Sequence, residues 1–192
     1  MTITPPTEVI FIGGRSGVGK STVAAEASRL LAARGVRHAV IEGDSLDQAY
    51  PEPWREGIAL AEHNLAAMWS AYRALGYHRL LFTNTVSITQ VESLSAALGG
   101  EVRARSVLLT STDATAADRL SRREWGRSVE EHIVRSGSAA AQLDAYTVDV
   151  RIATDGRTPD DIAREMLEDT GWLGTISDGN AVSETNAIDE RP

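Results

Sequence analysis

Gly14-Arg15-Ser16-Gly17-Val18-Gly19-Lys20-Ser21-Thr22 fits the pattern G-x-x-x-x-G-K-S/T. The glycines permit backbone angles and a close approach that side chains would block, so successive N–H groups can converge on phosphate oxygens at a helix N-terminus. In that geometry Lys20 is expected to reach the β- and γ-phosphates of a nucleotide, and the Ser21 hydroxyl to ligate Mg²⁺. All nine residues, Gly14, Arg15, Ser16, Gly17, Val18, Gly19, Lys20, Ser21 and Thr22, are candidate nucleotide contacts. The pattern carries weight only between a strand and a helix.

Both flanks comply. Glu8-Val9-Ile10-Phe11-Ile12-Gly13 is a short apolar, β-branched run that reads as a buried parallel strand. From Lys20 to about Arg34, Val23, Ala27, Leu30 and Leu31 recur at helical spacing, and Gly35 supplies the stop. Farther out, His38–Glu42 reads as a second strand, Arg79–Thr83 as a third, Val102–Thr110 as a fourth and Val148–Ala153 as a fifth. Between the second and third, Ile58, Ala61, Leu65, Met68, Tyr72 and Leu75 mark a long helix whose apolar stripe is expected in the core. Val91, Leu94 and Leu98 mark another, ending at Gly99-Gly100. A charged helical zone spans Ala114 to Tyr146, and Thr158-Pro159-Asp160-Asp161 opens the last helix with an N-cap, a first-turn proline and two acids. Strands alternating with helices predict an α/β, three-layer fold on a five-stranded parallel sheet.

The length of 192 residues and 42% hydrophobic content suit one core, read here as a domain over 1–174 followed by a polar, flexible tail over 175–192. A net charge of -8 argues against a nucleic-acid or anionic-membrane partner. There is no cysteine, and His38, His63, His78 and His132 form no metal-binding spacing. With no apolar leader and no run of about 18 to 20 apolar residues, the expected location is cytoplasmic, as a monomer or homodimer. Of the 19 basic residues only Lys20 is a lysine, and it stands where a phosphate-binding lysine belongs.

The inner spacing Gly14-x-x-Gly17-x-Gly19-Lys20-Ser21-Thr22 resembles the phosphate loop of the P-loop NTPases, in particular the nucleoside-monophosphate-kinase-like small-molecule kinases. The resemblance spans about residues 8 to 170. Within that group the chain is similar to adenylylsulfate kinase, chloramphenicol phosphotransferase, and the gluconate and shikimate kinases. It implies ATP as co-substrate, Mg²⁺ as cofactor, and a small-molecule acceptor, either a metabolite or an antibiotic.

Glu42-Gly43-Asp44-Ser45-Leu46 follows the second strand, at the edge where open α/β sheets bind ligands. Asp44 is the candidate base and acceptor-orienting residue, because transfer to a hydroxyl needs a carboxylate to take its proton. The segment resembles the D-G-D-N motif of adenylylsulfate kinase and the V-D-S-L of chloramphenicol phosphotransferase, whose aspartate acts as base. An Asx turn is the plainer reading. The third strand departs from the group by ending Thr83-Asn84-Thr85 without an acid, which leaves metal contacts to Ser21, water and Asp44 or Glu42. Asn84 becomes a candidate acceptor contact.

Asp118-Arg119-Leu120-Ser121-Arg122-Arg123-Glu124-Trp125-Gly126-Arg127 packs four arginines into ten residues and resembles a kinase lid, placed at about 114–135. Arg119 and Arg123 are its candidate catalytic contacts, against the plainer reading of a solvated charged helix. Gly156 and Arg157 are candidate contacts to the nucleotide base, although helix capping by Thr158 also accounts for that stretch. On the acceptor side Trp54 and Arg55 are candidates, with His63, Asn64, Trp69 and Arg73 on the helix behind. The rival to an ATP-dependent phosphotransferase is a nucleotide-binding, ATP-hydrolysing switch that acts on a protein partner. A nucleic-acid 5′-kinase is a third reading, disfavoured by the acidic balance.

Overall fold

The computed structural model describes residues 5–123 and 128–173. In chain order these form β1 (Thr7–Gly13), α1 (Lys20–Ala32), β2 (Ala39–Glu42), α2 (Leu60–Ala74), β3 (Arg79–Thr83), α3 (Val91–Leu98), β4 (Val102–Thr110), α4 (Asp113–Arg123), α5 (Ser128–Asp144), β5 (Val150–Ala153) and α6 (Pro159–Asp169). The five strands make one parallel sheet in the order β2-β3-β1-β4-β5. The expected tail from 175 onward and residues 124–127 of the arginine-rich segment lie outside the described residues.

Alternation along β1 explains the layers. Ile10 and Ile12 face one side, where they pack with Val23, Ala27 and Leu31 of α1 and Ile162, Met166 and Leu167 of α6. Val9 and Phe11 face the other, against Leu65 and Trp69 of α2 and Leu94 and Leu98 of α3. Both faces of the sheet are therefore covered, as parallel sheets require. At roughly 1.5–3 kcal/mol for each large apolar side chain fully buried, these two clusters supply the main driving force for folding.

The ends of the elements follow local chemistry. Thr158 accepts from the N–H of Asp161 at 3.2 Å, with Pro159 at the first helical position of α6. Gly35, at φ 68°, closes α1 two residues earlier than the apolar spacing suggested, with Val36 N–H returned to the Leu31 carbonyl at 3.0 Å. Strand β5 starts at Val150 rather than Val148. The reason is Asp149, whose carboxylate is drawn to the Ser106 N–H and hydroxyl, both at 2.7 Å, and so caps the ladder instead of extending it.

One expectation about α2 is corrected. Its inward stripe runs through Ala61, Leu65, Trp69 and Tyr72, while Ile58, Met68 and Leu75 are exposed. Trp69 fills the core because its indole N–H reaches the Thr7 hydroxyl at 3.0 Å, satisfying the one polar atom that burial would otherwise orphan.

The register brings the site together. Glu42 at the end of β2 lies opposite Thr83 at the end of β3, and Thr83 lies opposite Ile12 of β1. The turns after all three strands thus leave the sheet from the same carboxyl edge, beside the N-terminus of α1.

Candidate active site

The loop after β1 is shaped by its glycines. Gly14 has φ 141°, and a Cβ there would stand 2.5 Å from the Leu109 carbonyl oxygen of β4, so only glycine lets the loop leave the sheet this tightly. Gly19, at φ 107°, caps α1 without a side-chain bond, and no acid occupies the first turn. The N-terminal N–H groups and the positive end of the helix dipole therefore border the cavity where an anion would sit. Lys20 Nζ donates to the carbonyls of Gly14 (2.8 Å) and Arg15 (3.3 Å) and to the Thr85 hydroxyl (3.4 Å), which holds its charge over the loop. A cavity of about 180 Å³ opens here, lined by Ser16, Gly17, Gly19, Lys20, Ser21, Thr22, Asp44, Leu120 and His132.

Asp44 sits in a single 3-10 turn, Gly43–Ser45, directly after β2. Gly43 makes that turn possible, since a Cβ there would meet the Phe82 ring at 2.5 Å. The Asp44 Oδ1 accepts from Asn84 Nδ2 at 2.9 Å, and Asn84 Oδ1 in turn accepts from the Val86 N–H at 2.8 Å. Although the carboxyl opens into the cleft, the walls strip away enough water to raise its pKa above the ordinary 3.8. Glu42 and Asp47 push the same way, and Lys20 and the Thr85 N–H oppose them.

Beyond Asp44 lies a cavity of about 720 Å³, formed by the loop from Asp44 to Ala59, the start of α2 and the segment from Asn84 to Leu94. Asp44, Trp54 and Asn84, all anticipated from sequence, line it. Arg55 does not. It is 71% exposed and pairs with Glu52 at 3.5 Å. Asn64, Trp69 and Arg73 are occupied elsewhere, with Leu46, Thr7 and His78 respectively. Sequence reading missed Asp47, Gln48, Glu62 and Gln90 as lining residues. Asp47 had a visible signal, being one turn beyond Asp44. Gln90 and Glu62 come from separate elements and had none.

On the opposite side of the loop, Gly17, Val18, Gly19, Thr22, Arg119, Arg122, Thr154, Arg157 and Pro159 surround a cavity of about 330 Å³. Arg119 organises it. Its guanidinium donates to the carbonyl of Val18 (2.9 Å) and to the hydroxyl (3.0 Å) and carbonyl (3.2 Å) of Thr154, joining the phosphate loop to the end of β5. Arg157 lines the same cavity and pairs with Glu165 at 2.5 Å. Gly156, at φ 67°, forms the turn between Thr154 and Arg157 and is not among the lining residues. Arg122 pairs with Asp118 at 3.0 Å. The side chain of Arg123 lies outside the described residues.

Arg15 goes another way. Only 3% exposed, it turns from the phosphate cavity to ion-pair with Asp113 and donate to the Ser136 hydroxyl at 2.9 Å, and that hydroxyl donates to the Ser16 carbonyl at 2.8 Å. Its contribution to nucleotide binding is thereby restricted to its backbone.

For Mg²⁺, the groups facing the 180 Å³ cavity offer the Ser21 hydroxyl and the Asp44 carboxylate, oxygen donors of the kind this hard cation prefers. Among the described residues no cluster of three or more His, Cys, Asp or Glu could hold a metal alone. The donor set fits an ion that takes its remaining ligands from water and phosphates.

Among the described residues no helix is long and apolar enough to cross a membrane. No curated protein matches the sequence. Among solved structures, the fold is similar to that of a gluconokinase from Sinorhizobium meliloti at 22% identity and a TM-score of 0.55, covering 88% of this chain and 93% of that one. It is similar to the Deinococcus radiodurans tunicamycin resistance protein at 17% identity and a TM-score of 0.60, covering 86% and 96%. A shikimate kinase from Acinetobacter baumannii, solved in complex with shikimate, aligns at 18% identity and a TM-score of 0.53, covering 86% and 93%. The fold is that of the P-loop NTPases. A family model, the CobQ/CobB/MinD/ParA nucleotide binding domain, matches residues 9–143, which take in the phosphate loop, Asp44, Asn84 and Arg119. With a match over more than half of its length, the chain belongs to that nucleotide-binding family.

Proposed function

We propose that this protein is an ATP-dependent phosphotransferase that moves the γ-phosphoryl group of ATP to a hydroxyl of a small molecule. The observation that supports it is the position of Asp44, which lines both the 180 Å³ phosphate cavity and the 720 Å³ cavity beyond it. A carboxylate at that junction can accept the proton of an acceptor hydroxyl while the oxygen faces the phosphate held at the loop. Asn84 fixes its orientation.

In this reading ATP lies with its phosphates at the N-terminus of α1 and its base in the 330 Å³ cavity beside Arg119, Arg122 and Arg157. Lys20 neutralises the transferred group, and Arg123 of the lid is the arginine assigned to the charge that develops on it, whereas Arg119, expected from sequence to share that role, is held to Val18 and Thr154 on the base side of the loop. Mg²⁺ would be held through Ser21, with Asp44 or Glu42 behind water, and when bound would screen the negative charge between the phosphates. Acceptor binding falls to Trp54, Asn84 and their neighbours.

A specific departure favours a second reading. Strand β3 ends Thr83-Asn84-Thr85 with no carboxylate, so a switch that hydrolyses ATP for a protein partner would also accommodate the site. The test is ADP release across sugars, nucleosides, sulfonucleotides and antibiotics. A phosphotransferase raises ADP release above the acceptor-free rate with at least one of them and yields the phosphorylated product by mass spectrometry. A rate that no acceptor moves supports the switch.

A further inference from the structure

The charges of the site are partitioned. On the nucleotide side stand Lys20, Arg119, Arg122 and Arg157. The 720 Å³ cavity is lined by three carboxylates, Asp44, Asp47 and Glu62, and among the described residues by no lysine, arginine or histidine. Neither Asp47 nor Glu62 forms an ion pair among the described residues. The same lining holds an apolar set, with Trp54 at 54% and Ile58 at 53% exposure beside the buried Leu94. The amides of Gln48, Asn84 and Gln90 and the hydroxyl residue Thr85 supply its neutral polar part.

This combination selects by charge. An acceptor that carries a carboxylate or phosphate would have to shed water beside three like charges, with no cation on the wall to replace that hydration. An acceptor with a protonated amine gains two unpaired carboxylates as partners, in a recess where solvent screens them less than on an open surface. The exposed indole of Trp54 adds a face suited to a cation or an apolar ring.

Resting on the phosphotransferase reading for its orientation at Asp44, we propose that the acceptor is a neutral or amine-bearing hydroxyl compound with an apolar face, excluded if it is anionic, and that Asp47 and Glu62 set this preference. Asp44 meets the hydroxyl. Asp47 and Glu62 meet the amine. Trp54 and Ile58 cover the apolar part.

The test separates binding from chemistry. The full chain, with Mg²⁺ and a non-hydrolysable ATP analogue, is screened by thermal shift and calorimetry against three sets of hydroxyl compounds. These are amines such as aminoglycosides and amino sugars, neutral nucleosides and glycosides, and anions such as gluconate, shikimate and nucleoside monophosphates. The expected result is that binders come from the amine and neutral sets. For an amine binder, Asp47→Asn combined with Glu62→Gln weakens affinity on the order of 10- to 100-fold, whereas a neutral binder changes little. Raising salt weakens the amine alone. Circular dichroism and ATP-analogue affinity confirm that the double variant is folded. Anionic binders, an empty amine-and-neutral set, or an amine binder indifferent to the double variant each overturn the proposal. A bound amine that is never phosphorylated overturns the phosphotransferase reading instead and leaves the charge preference standing. A phosphorylated anion does the reverse.

Discussion

Asn84 Nδ2 donates to Asp44 Oδ1 at 2.9 Å, tying the turn after β3 to the turn after β2 across the carboxyl edge of the sheet. The residue that replaces the missing strand-end acid thus serves as the orienting partner of the candidate base. It is neutral, so it can hold the carboxylate without competing with it for charge.

Replacing that neutral partner with an acid tests this relationship. Asn84→Asp sets a second carboxylate against Asp44, and two carboxylates this close lose their protons in two separate steps, the second displaced to higher pH. The acid limb of the kcat/KM profile is expected to move to higher pH. Asn84→Ala should lower kcat roughly tenfold without that displacement, since it removes orientation but adds no charge. Profiles of the two variants against the parent decide the matter, and an unshifted Asn84→Asp profile contradicts it.

Asp44 itself is expected to behave oppositely in activity and stability. As a base it works ionised, so activity falls as pH drops through its raised pKa, and Asp44→Asn should lower kcat about 10²- to 10⁴-fold with ATP affinity nearly intact. Its folded pKa lies above the unfolded value, so its stabilising contribution is present at low pH and lost as pH rises through the folded pKa. Asp44→Asn removes that loss. The melting midpoint at pH 7 should rise, but only by roughly 1–2 °C because the open cleft screens the charge. The gain should vanish near pH 3, which differential scanning calorimetry at both pH values would reveal.

Arg119 is a clamp between the phosphate loop and the end of β5. Arg119→Ala leaves the Val18 and Thr154 carbonyls without this donor and should destabilise the protein by roughly 1–3 kcal/mol in denaturant titrations, alongside weaker ATP binding. Arg119→Lys should recover little, because one ammonium cannot span three acceptors held by a planar fork.

Lys20→Ala is expected to weaken ATP binding by about 10- to 100-fold, the scale of losing a charge-assisted contact. Global stability should change less than nucleotide affinity, since the bonds from Lys20 to the Gly14 carbonyl and the Thr85 hydroxyl lie within the loops of the site and not in the core. Isothermal titration with an ATP analogue measures the first and thermal melting the second.

Much of this was legible along the sequence, because strands and helices are written in local periodicity. All five strands, the phosphate loop, and the capped start of α6 follow from residues within one turn of each other. Asp44 and Asn84 were each visible as strand-end residues, but their bond joins positions 40 apart and appears only once β2 pairs with β3. The phase of α2 was misjudged because Met68 and Trp69 both fit a three- or four-residue step, and only the Thr7 hydroxyl across the core makes the indole the one that turns inward. Arg15 looked like a phosphate contact until α4 and α5 folded over it. Its partners Asp113 and Ser136 stand 98 and 121 positions away, beyond any local pattern.

That buried Arg15 carries a dynamic consequence. Ser136 takes a hydrogen bond from Arg15 and gives one to the Ser16 carbonyl, so the tip of the phosphate loop is fastened to the middle of α5 through a single hydroxyl. Fluctuations of that helix are therefore transmitted to the loop. Severing the link with Ser136→Ala should accelerate amide hydrogen exchange from Ser16 to Gly19 while leaving exchange in the sheet slow, and bound nucleotide should restore the loop's protection. The loop's rigidity before nucleotide arrives is in this sense borrowed from a helix 120 positions farther along the chain.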